Sequence, residues 1–170
     1  KIPNERDISN ILKTNQEKSS LLIRAIENDE IYPYFQPIKP ASASNKLVIH
    51  ELLMRIHQDG KIVSAYEFIE IAEARGLINS MDLMVIEKAF KEIQRTQYEG
   101  ILFINLSPKS LIVGDFINKI NAFVLKYEIN KEKIVFEITE RETVKNFSLL
   151  EKFVHNLKAD GYKFAIDDFG

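Results

Sequence analysis

The chain has 170 residues, of which 45% are hydrophobic, and its formal net charge is -2. This length supports one substantial core, and the near-neutral charge argues against a surface for a nucleic acid polymer or an anionic membrane. The sequence contains no cysteine, which excludes disulfides, thiolate metal sites and cysteine nucleophiles, and no apolar run is long enough to span a bilayer.

The N-terminal segment differs in composition from the rest of the chain. Residues 1–18 are mostly polar and predict a linker or the end of a connecting helix, so we expect the domain to occupy residues 19–170. Prolines within the aromatic run at 32–38 predict an edge strand. Residues 47–55 predict the next strand, and the small-residue turn between the two runs indicates a hairpin.

Capping patterns mark the helices that follow. Ser64 and Glu67 form a Ser-x-x-Glu capping box, and Gly76 stands where the resulting helix should end. Ser80 and Asp115 are expected to begin two further helices, each with an apolar stripe at three- and four-residue spacing. Strands and helices therefore alternate along the chain.

Polar residues at strand ends recur at the length of one βα unit. Asn105, Glu137 and Asp167 are 32 and 30 residues apart. An open doubly wound sheet normally carries a glycine-rich phosphate loop after its first strand, and this chain has no G-x-G-x-x-G motif. We therefore predict an α/β fold, a (β/α)8 TIM-like barrel, of which this chain shows about the first five strands. Roughly three βα units are expected beyond residue 170, so we expect a domain truncated at its C-terminus.

Four apolar strand runs end on oxygen-bearing side chains. The runs lead into Glu51, Asn105, Glu137 and the pair Asp167-Asp168. Parallel strands bring their carboxyl ends to one rim, where such oxygens suit Mg²⁺ or Mn²⁺ better than zinc, although Ca²⁺ would also accept them. Two adjacent aspartates could serve two metals, an arrangement that favours phosphodiester hydrolysis. Singly, each carboxylate is more typical of a turn or a helix cap; the recurrence indicates a site.

Two further residues leave alternatives open. Glu140 suits either a charge in the first turn of a helix or a role in holding a loop. Arg55 suits either a phosphate contact or a surface ion pair.

Six segments, in chain order, carry a resemblance to a known family. They are Phe35-Gln36-Pro37-Ile38, Glu51-Leu52-Leu53-Met54-Arg55, Ser64-Ala65-Tyr66-Glu67-Phe68-Ile69, Ile104-Asn105-Leu106-Ser107, Phe136-Glu137-Ile138-Thr139-Glu140 and Ala165-Ile166-Asp167-Asp168-Phe169-Gly170. The chain resembles the EAL domain, the bacterial cyclic di-GMP phosphodiesterase, from about residue 19 to its end. It departs from the family pattern at Leu52, where the signature has alanine, and at Ala65, where the family has proline.

The resemblance implies a metal site and a catalytic set. Glu51, Asn105, Glu137 and Asp167 would hold one Mg²⁺ or Mn²⁺, Asp167 being shared with a second ion that Asp168 also binds. Glu51, Asp167 and Asp168 would be catalytic, and one phosphodiester of cyclic di-GMP would be hydrolysed to give linear pGpG.

The resemblance also implies contacts with the dinucleotide. Gln36, Leu53 and Arg55 would bind it, the arginine through a phosphate, and Glu140 would steady the loop after Asp168. A lysine and a glutamate that complete the family's site would lie beyond Gly170.

Partners and alternative functions follow from the same resemblance. We expect a homodimer, an upstream sensory or cyclase domain, a location in the bacterial cytoplasm and no membrane contact from this segment. The first alternative is an inactive EAL-like domain that binds cyclic di-GMP or a protein partner as a receptor module. An enolase-type barrel would need a lysine or histidine base at a strand end, and none is present there. The third alternative is a docking scaffold.

Overall fold

A computed structural model of the protein describes residues 5–39, 47–111, 114–139 and 147–167. Strands and helices alternate through most of these ranges, as the sequence predicted. The elements in chain order are α1 (Glu5–Glu27), β1 (Ile31–Pro37), β2 (Ile49–Gln58), β3 (Lys61–Ser64), a 3-10 turn (Ala65–Phe68), α2 (Ile69–Ala74), α3 (Ile78–Thr96), β4 (Ile101–Asn105), α4 (Pro108–Leu111), α5 (Phe116–Lys126), a second 3-10 turn (Lys131–Lys133), β5 (Ile134–Thr139), α6 (Phe147–Ala159) and β6 (Lys163–Asp167).

One mixed sheet organises the described residues. Its strand order is β1-β2-β4-β5-β6, with β3 paired to β2. β1 and β2 pair antiparallel, which confirms the predicted hairpin, and β2, β4, β5 and β6 run parallel to one another. β1 lies at an edge of this sheet, as its prolines predicted. Parallel strands joined by helices confirm the α/β class and form part of a TIM-like barrel.

Strand β2, predicted at residues 47–55, begins two residues later and ends three residues later than predicted, and it changes partner along its length. Residues 49–52 pair with parallel β4, whereas residues 55–58 pair with antiparallel β3. The sequence placed the end of this strand at Arg55 and the end of its apolar run at Glu51. Both positions lie inside the strand, because the hairpin with β3 supplies backbone partners as far as Gln58. Glu51 is the third residue of β2.

The apolar core lies between the helices and one face of the sheet. Leu52 pairs with Ile104, and Ile104 with Phe136, so these three side chains share a face, and all are buried. Phe90 of α3 and Phe116 of α5 are fully buried in the same core. Because side chains alternate along a strand, the neighbouring residues of β2, β4 and β5 lie on the opposite face.

One predicted helix start lies two residues too late, another opens with a 3-10 turn, and two other predicted boundaries are confirmed. The helical segment predicted after Ser64 begins at the next residue, but its first turn, Ala65–Phe68, is 3-10, and α2 follows at Ile69. Ser64 also pairs with Arg55 at the end of β3. Ser80 lies inside α3, which begins two residues earlier. Gly76 follows α2 at φ 70°, a conformation that glycine adopts freely, and Asp115 directly precedes α5.

Helix α1 is continuous through residues 5–27 and packs on the sheet through its C-terminal half. Leu22 and Ala25 are fully buried, and the Gln58 Nε2 donates to the Leu21 carbonyl at 3.1 Å. This half of α1 therefore contributes to the core. None of the described helices is both long and apolar enough to cross a lipid bilayer.

Candidate active site

The strand register places five predicted site positions on one face of the sheet. Gln36 lies opposite Glu51 across the β1–β2 pair, and Asn105 lies opposite Glu137 across the β4–β5 pair. Glu51 pairs with Phe103, which lies two residues before Asn105 in β4. Because side chains alternate along a strand, Glu51 and Asn105 lie on the same face. In β6 the backbone of Asp167 lies opposite Thr139, two residues beyond Glu137. This is the face opposite the helix-covered core.

Glu51 and Asn105 are in direct contact. The Asn105 Nδ2 donates to the Glu51 Oε1 at 3.1 Å, a hydrogen bond between residues that are 54 apart in sequence. The asparagine is exposed, and Glu51 and Glu137 are half-buried, so solvent and ligands reach this face. A hydrogen bond to an ionised carboxylate is stronger than one between neutral groups, and it orients the Glu51 side chain.

The donor set suits a hard divalent cation. Glu51 and Glu137 offer carboxylate oxygens, and Asn105 offers an amide oxygen, which are the ligand types that Mg²⁺ and Mn²⁺ accept. Among the residues whose side chains are described, no three His, Cys, Asp or Glu lie close enough to hold an ion by themselves. Asp168 lies outside the described residues, as does Glu140, and Asp167 is described only by its backbone.

A pocket of about 380 Å³ adjoins the Glu51–Asn105 contact. Its walls include Gln36, Leu53 and Arg55, the three residues predicted to contact a dinucleotide, together with Glu51 and Asn105. Leu53 lies between the part of β2 that pairs with β4 and the part that pairs with β3. The change of partner along β2 therefore places the pocket beside the candidate metal ligands.

Arg55 is half-buried and held by the main chain. Its Nη1 donates to the Met54 carbonyl at 2.9 Å. Because a guanidinium carries five N–H donors in a rigid plane, this one contact orients the group and leaves further donors for an anionic ligand.

Asp82 also lines this pocket, and sequence reasoning missed it. The side chain lies on α3 and is 7% exposed; its Oδ2 accepts a hydrogen bond of 2.7 Å from the Ser110 hydroxyl. Burial raises the pKa of the Asp82 carboxyl from 3.8 to about 7, the Ser110 hydrogen bond lowers this pKa, and the charge of Glu73 raises it. The signal was an aspartate within the apolar stripe of α3, between Met81 and Leu83.

Comparison with known proteins identifies the family. The family model described as the EAL domain matches residues 21–170. The cyclic di-GMP phosphodiesterase PdeA of Borreliella burgdorferi is 31% identical over 163 residues, which are 94% of this chain and 24% of the relative. The cyclic di-GMP phosphodiesterase PdeB of Shewanella oneidensis is 33% identical over 153 residues, 88% of this chain and 18% of the relative. The chain thus spans about a quarter or less of the length of these relatives.

Solved structures share the fold. The crystal structure of the FimX EAL domain from Pseudomonas aeruginosa bound to c-di-GMP superposes with a TM-score of 0.80 at 23% identity, over 90% of this chain and 62% of that one. The c-di-GMP complex of the PaMucR phosphodiesterase superposes with a TM-score of 0.78 at 21% identity, over 91% of this chain and 64% of that one. Since the family model covers most of its length and the fold agrees, the chain belongs to the EAL domain family.

Proposed function

We propose that the protein is a metal-dependent phosphodiesterase that hydrolyses cyclic di-GMP to linear pGpG in bacterial second-messenger signalling. The observation that carries this proposal is the contact between Glu51 and Asn105 beside the pocket that contains Gln36, Leu53 and Arg55. The names of the two curated relatives, both cyclic di-GMP phosphodiesterases, support the same reaction.

The cofactor is a divalent cation, which EAL phosphodiesterases use in general. We propose Mg²⁺ or Mn²⁺, held by Glu51, Asn105, Glu137 and Asp167, with Asp168 and the shared Asp167 holding a second ion. When bound, such ions polarise a phosphoryl oxygen and lower the pKa of a coordinated water. The protein contributes the preset arrangement, since the Asn105 amide orients the Glu51 carboxylate before any ligand arrives.

Substrate binding uses the residues of β1 and β2 that line the pocket. Arg55 contacts a phosphate of the dinucleotide, and a guanidinium already held by the Met54 carbonyl loses little freedom on binding. Gln36 lies opposite Glu51 in the register and supplies an amide for polar contacts, while Leu53 supplies an apolar wall. Glu140 is proposed to steady the loop that follows Asp168.

The wider organisation is proposed on the same basis. Residues 19–170 belong to the EAL domain, and the part of helix α1 that precedes residue 19 connects it to an upstream sensory or cyclase domain. The protein acts as a homodimer in the bacterial cytoplasm, where its substrate is made. Light scattering of the full-length protein tests the dimer, and a monomer at micromolar concentration would contradict it.

The proposed activity is tested with purified full-length protein and cyclic di-GMP. Linear pGpG is separated by chromatography after incubation with Mg²⁺ or Mn²⁺, and in parallel with EDTA. Glu51→Gln is compared with Glu151→Gln, which removes the same charge from an exposed position on α6. Product that depends on the metal and disappears only in the Glu51 variant supports the proposal.

Two other results would overturn the enzymatic proposal. Saturable binding of cyclic di-GMP by isothermal calorimetry, without any product, would make the protein a receptor module. The absence of both turnover and binding would leave a shared fold without the nucleotide chemistry.

A further inference from the structure

Three polar contacts converge on the turn that follows Asn105. The Ser107 hydroxyl donates to the Glu73 Oε1 at 3.2 Å, and the Lys109 Nζ lies 3.7 Å from the Glu73 Oε2. The Ser110 hydroxyl donates to the Asp82 Oδ2 at 2.7 Å. We call these contacts the carboxylate clamp, formed by Glu73 of α2 and Asp82 of α3 on residues 107–110. Both serines of the turn are therefore bound by acids from neighbouring helices.

The carboxylate clamp includes a buried carboxyl group, that of Asp82. Asp82 is 7% exposed and Ser110 is 0% exposed, in surroundings that include Ile78, Val85 and Ile86 of the same helix. Burial of a carboxyl group costs free energy, and replacing both partners of a buried polar pair with apolar side chains of similar volume is commonly neutral or stabilising. Stability of the core therefore does not account for the Asp82–Ser110 pair.

The turn needs an external restraint. Helix α4 spans only Pro108–Leu111, too short to be stable by its own backbone hydrogen bonds. On the β5 side, the Leu106 N–H donates to the Glu137 carbonyl at 3.0 Å. The clamp holds the other end of the same turn, so residues 106–110 are tied to β5, α2 and α3 together.

Asn105 stands directly before this restrained turn. Its amide must lie within hydrogen-bond reach of Glu51, which it meets at 3.1 Å across the β2–β4 pair. A displacement of the turn by about 1 Å would lengthen that contact beyond normal hydrogen-bond geometry, and misplacement on this scale costs about a hundredfold in rate in enzymes.

We propose that Asp82 and Glu73 are positioning residues for catalysis: by binding Ser110 and Ser107 they fix the β4–α4 turn and so place Asn105 against Glu51. This inference rests on the proposed phosphodiesterase function. It assigns a role to two acids that lie outside the set of metal ligands and substrate contacts.

The test compares variants of the clamp with a matched control in the full-length protein. Asp82→Leu and Ser110→Ala break the buried hydrogen bond, whereas Asp82→Asn keeps an acceptor oxygen for Ser110. Tyr162→Phe is the control, because it removes a short hydrogen bond, 2.6 Å from the Tyr162 hydroxyl to Asn121, at a buried residue next to the start of β6. The readouts are kcat and KM separately, and the affinity for Mn²⁺ by electron paramagnetic resonance titration without nucleotide.

The expected result is a loss of kcat and of Mn²⁺ affinity, each about 10- to 100-fold, in Asp82→Leu and Ser110→Ala, with KM little changed. Asp82→Asn should retain most of the wild-type kcat and Mn²⁺ affinity, and Tyr162→Phe should leave both values unchanged. Addition of Asp82→Leu to Asn105→Ala should cause no further loss, since the clamp acts through Asn105.

Two results separate the positioning role from the proposed function. If Asp82→Leu keeps kcat and Mn²⁺ affinity within about twofold of the Tyr162→Phe control, the clamp is structural only and the inference is overturned. If the wild-type protein binds Mn²⁺ but does not hydrolyse cyclic di-GMP, the proposed function fails alone. The order of Mn²⁺ affinities among the variants then still decides the positioning role.

Discussion

The buried Asp82 carboxyl should make the stability of this protein depend on pH in a defined direction. Burial raises its pKa from 3.8 to about 7 in the folded state. Between these values the folded protein retains the Asp82 proton that the unfolded chain releases. The contribution of this group to stability is therefore fully present below about pH 4 and is lost as the pH rises to about 7.

The size of the effect follows from the two pKa values. At about 1.4 kcal/mol for each pH unit, the difference between 3.8 and about 7 corresponds to about 4 kcal/mol lost across that window. The Asp82→Asn variant carries no proton there, while its amide oxygen still accepts from Ser110. The free energy of unfolding of Asp82→Asn should therefore lack the pH-dependent contribution of the Asp82 proton.

The assay is urea unfolding of both proteins at intervals from pH 4 to pH 8.5. Titrating groups that do not interact with Asp82 contribute to both curves and largely cancel in their difference. We expect the stability of the wild type relative to Asp82→Asn to fall by about 2–4 kcal/mol as the pH rises from about 4 to about 7, and then to level off. A difference that stays constant with pH, or that rises, would refute the assignment of Asp82 as a buried acid with a raised pKa.

Three further predictions concern the core, one turn and the candidate metal site. Phe116→Ala should lower the free energy of unfolding by about 3–5 kcal/mol in urea titrations, because the ring is fully buried. Leu125→Ala, at an 81% exposed position, should change it by less than about 0.5 kcal/mol, and equal effects of the two substitutions would contradict the described core. Gly76→Ala should cost about 1 kcal/mol in the same measurement, because its φ of 70° strains any side chain, and a stabilised variant would argue against this turn. Asn105→Ala should weaken Mn²⁺ binding about tenfold or more in resonance titrations, and an unchanged affinity would remove the asparagine from the ligand set.

Much of the sheet could be predicted from local patterns. The spacing of Asn105, Glu137 and Asp167 indicated repeated βα units, and the register places the first two directly opposite each other. This agreement has a simple cause, because parallel strands joined by helices of similar length bring equivalent positions to the same rim. The edge position of β1 and its hairpin with β2 were predicted for local reasons as well, the first from the prolines in β1 and the second from the small residues between the two strands.

Boundaries set by competing interactions were not predictable in the same way. The Ser64–Glu67 pattern predicted a helix start, and a helical turn does follow Ser64, but this turn is 3-10 and Ser64 also ends the ladder with Arg55. The ladder forms only because β2 extends past the end of its pairing with β4, which leaves residues 55–58 for β3. A capping signal in sequence carries no information about a strand partner nine residues away.

The class of fold, the family and the chemical type of the site could all be read from the residues, because periodicity and short motifs are local properties of the chain. Which side chains meet depends on the packing of distant segments. The Asn105–Glu51 hydrogen bond joins residues 54 apart, and the Asp82–Ser110 and Glu73–Ser107 bonds join residues 28 and 34 apart. Such contacts depend on how helices α2, α3 and α4 pack around the end of β4, and the geometry of that packing is settled by the whole core at once.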